Sequence, residues 1–142
     1  MSVTVDMNFD GFQKEFEREI RNLVWRGSKV FRDSITQLLS QSGKSNVKAP
    51  HNYSVAGQVP HNMTGRLANS WTTRKPQSEG NKYVTSVGTS VKYAAALQFG
   101  SAQNNLAARP YIKKSIEKAM PRIRKLINAK AMVARAAARS GV

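Results

Sequence analysis

Thr64-Gly65-Arg66-Leu67-Ala68-Asn69-Ser70-Trp71-Thr72-Thr73-Arg74 and, after a turn-rich break, Tyr83-Val84-Thr85-Ser86-Val87-Gly88-Thr89-Ser90-Val91 are the stretches that decide the fold class of this chain. In the first, Leu67, Asn69, Trp71 and Thr73 alternate with Ala68, Ser70, Thr72 and Arg74; the second is dense in strand-favouring types. Pro76, Ser78, Glu79, Gly80 and Asn81 between them supply a turn. The pair reads as a β-hairpin over about 66–91. Two strands alone are marginal in water, so the hairpin must pack on the long helix or join a neighbour's sheet.

The flanking sequence has the helical period. Phe12, Phe16, Ile20, Leu23, Gly27, Phe31, Ile35 and Leu38 are spaced by three or four, which places them on one helical face. Asn8 or Asp10 is suited to cap the start, and Ser40-Gln41-Ser42-Gly43 to end it. Such a helix would be about 45 Å long at 1.5 Å per residue. Residues 43–63, broken by Gly43, Pro50, Gly57 and Pro60, read as a long loop that orders against a partner. Val91 to Phe99 reads as a short helix ended by Gly100, with a polar loop to Ala107. From Pro110, which suits a first helical turn, Ile112, Ile116, Ala119, Met120, Ile123 and Ile127 return to a helical period. Pro121 predicts a kink or restart there. The expected fold is α+β: a long N-terminal helix, a small antiparallel sheet, a short helix and a kinked basic C-terminal helix. One domain over 1–142 is expected, with a basic helical tail at about 128–142.

Charge is the second signal. The 142 residues carry a formal net charge of +15, and the excess grows along the chain. Residues 1–41 hold six acidic and six basic side chains, 42–108 one against seven, and 109–142 one against ten. This field favours a polyanionic neighbour, whether nucleic acid, an acidic protein surface or an anionic membrane. Lys113, Lys114, Lys118, Arg122, Arg124, Lys125, Lys130, Arg135 and Arg139 are the candidate contacts. They have no aromatic interleaving, so they suit sequence-independent phosphate contact or an acidic docking surface alike.

There is no cysteine, which excludes disulfides and thiolate metal sites. His51 and His61 lie ten residues apart in a polar segment, too few ligands for a stable metal site. No cofactor is expected. No nucleophile–base pair, paired carboxylates or phosphate-cradling loop stands out, so an enzyme is not expected either. The amino terminus lacks the basic and apolar regions of a secretory signal, and no apolar run approaches the roughly 20 residues of a membrane span. The expectation is a soluble cytoplasmic product with no membrane partner.

Four short segments stand in order: Thr64-Gly65-Arg66-Leu67-Ala68-Asn69-Ser70, Val87-Gly88-Thr89, Tyr93-Ala94-Ala95-Ala96-Leu97-Gln98-Phe99-Gly100 and Ala108-Arg109-Pro110-Tyr111. By their residue types, Gly65, Gly88, Gly100 and Pro110 set turns, while Tyr93, Phe99 and Tyr111 are core aromatics or partner contacts, the core reading favoured. Arg109 is a surface residue before a helix, or a bridge to a neighbour's carboxylate. Across about residues 56–120 the series resembles the neck or tail-completion protein family of tailed bacteriophages, relatives of the minor tail protein Z group. Gln98, Ser101 and Tyr111 stand where that family often has glutamate, threonine and phenylalanine.

The resemblance implies a structural virion protein of the head-to-tail connection, assembled in the host bacterial cytoplasm and located in the neck of the virion. It would form a closed ring, a hexamer or dodecamer, around the DNA channel, between connector or adaptor and tail-terminator or tail-tube proteins. Thr64, Gly65, Arg66, Leu67, Ser70, Gly88, Tyr93, Ala94, Phe99, Gly100, Pro110 and Tyr111 are the matched motif residues, and the resemblance favours Arg109 as a subunit contact. The alternative is a stand-alone, sequence-independent nucleic-acid-binding protein.

Overall fold

The structure, a computed structural model, describes residues 1–8, 14–41, 56–60 and 65–140. Asp10, His51, His61, Thr64 and most of the 43–63 segment lie outside them.

The long N-terminal helix is present as α1, Lys14–Gln41. Its buried face is Ile20, Val24, Ser28, Phe31, Ser34, Ile35 and Leu39, with Leu23 and Leu38 on the margin. Over the described side chains, which exclude Phe12 and Phe16, the expected stripe is rotated slightly, with Val24 and Phe31 at its centre and Leu39 at its edge. Asn8 is not its cap: it ends a strand, β1, Ser2–Asn8, that the sequence reading did not identify.

The hairpin region holds three further strands and a helical turn. Arg66–Asn69 forms the short helix α2, followed by β2, Trp71–Thr73. The expected strand therefore begins only at Trp71. The reason is burial of both Leu67 and Ala68, neighbours that a strand would send to opposite faces. Gly65, at φ 72°, turns the chain into α2, and the Asn69 amide donates to the Gly65 carbonyl at 2.9 Å. The expected turn holds β3, Gln77–Glu79, which pairs with β4, Lys82–Thr89. Gly80 and Asn81 make the two-residue connection.

β4 is the axis of an antiparallel four-stranded sheet. β1 pairs along its whole length on one side, from Ser2 opposite Gly88 to Asn8 opposite Lys82. β2 and then β3 pair on the other. Tyr83, Thr85 and Val87 alternate inward from β4, toward α1.

After the short helix α3, Ala94–Phe99, the chain makes a tight loop in which Ser101 and Leu106 exchange backbone hydrogen bonds of 2.8 and 2.9 Å. The C-terminal helix α4, Tyr111–Ser140, passes through Pro121 without restarting. Pro121 and Glu117, whose carbonyl loses its intrahelical donor, are both exposed, so water can serve that carbonyl. α4 packs antiparallel along α1: Ile123 lies by Gly27, and Lys130 reaches Glu19. Small side chains line the contact. Ser28, Ser34 and Ser115 are fully buried, and each donates its hydroxyl to a carbonyl three or four residues earlier at 2.8–2.9 Å, leaving no orphan donor.

Candidate functional site

The four segments converge at one end of the α1–α4 pair. Leu67, Ala68, Trp71, Val87, Val91, Ala94 and Tyr111 join Phe31, Ile35 and Leu39 in one buried cluster. The first segment is tied to the second by hydroxyls: Ser70 Oγ donates to the Leu67 carbonyl at 2.9 Å and lies 2.5 Å from Thr89 Oγ1. That oxygen also accepts the Val91 amide at 3.1 Å. Third and fourth segments are tied by three bonds. The Tyr111 hydroxyl donates to the Ala94 carbonyl at 3.1 Å, the Arg109 amide to Leu97 at 2.7 Å, and the Ile112 amide to Gln98 Oε1 at 3.1 Å. Gln98 thereby satisfies one of the open donors at the start of α4.

Tyr111 is the centre of this unit. It is fully buried, and its ring meets that of Trp71 edge-on at 6.1 Å between centroids. Burial pushes its phenol well above the ordinary tyrosine range, and neighbouring Tyr93 adds to the shift. Gly100 is required where it stands: φ 82° with ψ 170° is close to glycine-only territory, and a Cβ there would come within 2.9 Å of the Leu106 carbonyl oxygen. Gly88 is not at a turn but inside β4, where a Cβ would meet the Met1 carbonyl and Ser2 at 3.1 Å. It permits the close approach of β1. Pro110 directly precedes α4, and the half-buried Arg109 stands between it and α3.

Two of the three expected core aromatics are not in the core. Phe99 is 72% exposed and Tyr93 43% exposed. Both belong to the α3 segment, whose buried face is filled by Ala94; the larger rings fall on its outer side. They stand at opposite ends of α3, and the Arg109 amide is bonded to the carbonyl of Leu97, two residues before Phe99.

The basic residues of α4 from Lys113 to Lys130 are exposed. Lys114, Lys118, Arg122 and Lys125 are spaced by four, four and three, so they share one flank of the helix, and all are exposed. Lys114 also donates to the Gly57 carbonyl at 2.8 Å. Lys113 and Arg124 lie on another flank with Glu117, and Lys130 is engaged by Glu19 at 2.9 Å. That contact holds the Glu19 carboxyl below its usual range. Arg135 and Arg139 continue along the helix. The four-cation flank would extend over about 16 Å of helix, enough for several successive phosphates of a backbone.

A polar groove of about 430 Å³ lies on the sheet face opposite α1, lined by Ser2, Thr72, Arg74, Ser86 and Ser90 among others. Sequence reasoning had no signal for it, because it forms only where β2, β4 and the start of β1 come side by side. Among the described residues no group of three His, Asp or Glu could hold a metal ion, and no helix is long and apolar enough to cross a membrane. No protein-family model, curated protein or solved structure matches the chain.

Proposed function

We propose that this chain is a structural protein of the phage head-to-tail connection, which closes into a ring around the DNA channel and joins connector to tail. The observation that carries the reading is the state of the four segments. They share one buried cluster that includes Tyr111, with hydrogen bonds tying the first to the second and the third to the fourth, while the Phe99 ring is exposed to solvent. A large aromatic on a rigid support is the kind of group that anchors a protein interface, since little side-chain entropy is lost when a neighbour covers it. A contact between unlike surfaces that repeats with a closing rotation makes a ring. In this reading Phe99, Tyr93 and Arg109 meet the next subunit, and the basic flank of α4 faces channel DNA or an acidic neighbour.

Phe99→Ser and Arg109→Glu test it. Each should leave the monomer folded by circular dichroism and block ring formation in native mass spectrometry; normal rings from both variants would refute the assignment. The basic flank favours a second reading, a stand-alone, sequence-independent nucleic-acid-binding protein. That reading requires DNA affinity in the monomer that falls steeply with salt and collapses when Lys118 and Arg122 become Glu.

A further inference from the structure

We infer that β1 is a self-pairing edge, through which two copies of this chain join their sheets in antiparallel register about Val5. The inference goes beyond the ring and rests on a different surface.

The hydrogen-bond pattern shows which way β1 points its backbone. Met1 and Thr89 exchange both bonds, amide of Thr89 to Met1 carbonyl at 3.0 Å and Met1 nitrogen to Thr89 carbonyl at 3.4 Å. In an antiparallel ladder bonded pairs alternate with non-bonded ones, so Val3, Val5 and Met7 face their partners Val87, Thr85 and Tyr83. The amides and carbonyls of Ser2, Thr4, Asp6 and Asn8 are therefore directed away from β4. Among the described residues no strand takes them, because β1 ends the sheet.

The two sheet edges differ. The β2–β3 edge is interrupted by Arg74-Lys75-Pro76, two cations and a residue without an amide hydrogen, devices that discourage pairing. β1 has seven unbroken residues and no proline or lysine. Its sequence, Ser-Val-Thr-Val-Asp-Met-Asn, also complements itself. Antiparallel pairing centred on Val5 sets Val3 opposite Met7, Val5 opposite Val5 and Thr4 opposite Asp6, apolar types facing apolar and no like charges opposed. A second observation lies under the strand. Val5, Leu23, Val24, Gly27, Ile123 and Leu126 line a narrow apolar cleft between β1 and the helices. Thus the helices extend apolar surface to this end of the sheet, and a strand added beyond β1 would lie over the same helical layer.

The chain has no cysteine, so one introduced cysteine reports the register. Val5→Cys places two thiols across a non-bonded pair, with Cα atoms about 4.5 Å apart, inside the span of a disulfide. On mild oxidation of the purified full chain it should cross-link to twice the monomer mass, while Val3→Cys, whose copies are held apart by the register, should not. Thr4→Pro removes an amide that β4 does not use. It should keep the circular dichroism spectrum and weaken dimerisation by roughly tenfold or more in sedimentation. A wild-type chain that stays monomeric across the dilution series overturns the inference. So does equal cross-linking of the two cysteine variants, or a dimer indifferent to Thr4→Pro. Rings that fail in Phe99→Ser while Val5→Cys still cross-links would refute the ring and leave this contact standing.

Discussion

The two ends of the α1–α4 pair are held together by different physics. At the Phe31–Leu39 end, α1 meets Trp71, Val87, Ala94 and Tyr111 in a single buried cluster stitched by hydrogen bonds among the four segments. At the other end the buried cluster among the described residues is Ile20, Val24 and Tyr83. Beside it, among the described residues, lie polar contacts: Lys130 on Glu19, the Tyr83 hydroxyl on Glu17 at 3.4 Å, and the Arg21 guanidinium 5.4 Å from the centre of the Tyr83 ring. Exposed ion pairs contribute little and weaken with salt, whereas apolar burial does not. Among the described residues the first end is therefore the more heavily packed, the anchor of the fold. The proposed interface residues Phe99 and Arg109 sit on the anchored end, where a contact site gains from rigidity. The apolar cleft beside Val5 lies between the two clusters, lined by Val24 of the smaller one and by Ile123, which packs on the larger.

Core truncation should break the comparison most visibly. Ile35→Ala, at a fully buried position in the large cluster, should cost about 3–5 kcal/mol of unfolding free energy, and Ile20→Ala only about 2 kcal/mol. Equal losses in denaturant titrations would mean the two ends are equally packed.

Removing the Tyr111 hydroxyl is a smaller change at the anchored end. Tyr111→Phe should cost about 1 kcal/mol through the lost bond to Ala94. It should also alter the alkaline behaviour. The folded phenol is raised above its unfolded value, so the fold favours its neutral form. Its contribution is complete below the ordinary tyrosine pKa of about 10 and is lost as pH climbs above it. Wild-type stability should fall more steeply above that pH than the stability of the variant, and parallel curves would contradict the burial of Tyr111.

Gly27→Ala acts near the smaller cluster, in the opposite direction. A Cβ there would touch Ile123 at 3.9 Å, an ordinary contact, and alanine is the better helix former. The variant should gain about 0.5–1 kcal/mol in thermal unfolding. The smallest effect belongs to Lys130→Ala. It should return the Glu19 carboxyl toward its usual pKa in an NMR titration, with no measurable change in melting temperature.

These contrasts show which features could be read from residues alone. α1 was legible because eight residues kept a helical spacing, and so was the basic helix, because its charges needed no partner to be seen. β1 was missed for the opposite reason. Val3, Val5 and Met7 alternate, but one short strand is meaningful only with its partner Lys82–Thr89, some eighty residues away. The Leu67–Ala68 turn was misread because alternation of types cannot show that two neighbours are both buried. Tyr93 and Phe99 were misplaced because aromatic character does not say whether a side chain is covered. Of the candidate site, the residues were visible in order, but their meeting around Tyr111 depends on tertiary contacts that no spacing encodes.

Electron-microscope images of the purified chain, taken alongside particles that contain it, test the central claim most directly. The account expects closed rings of one copy number, found between head and tail. Monomers or dimers that bind DNA in a salt-dependent way, with no ring in solution or in particles, would contradict it.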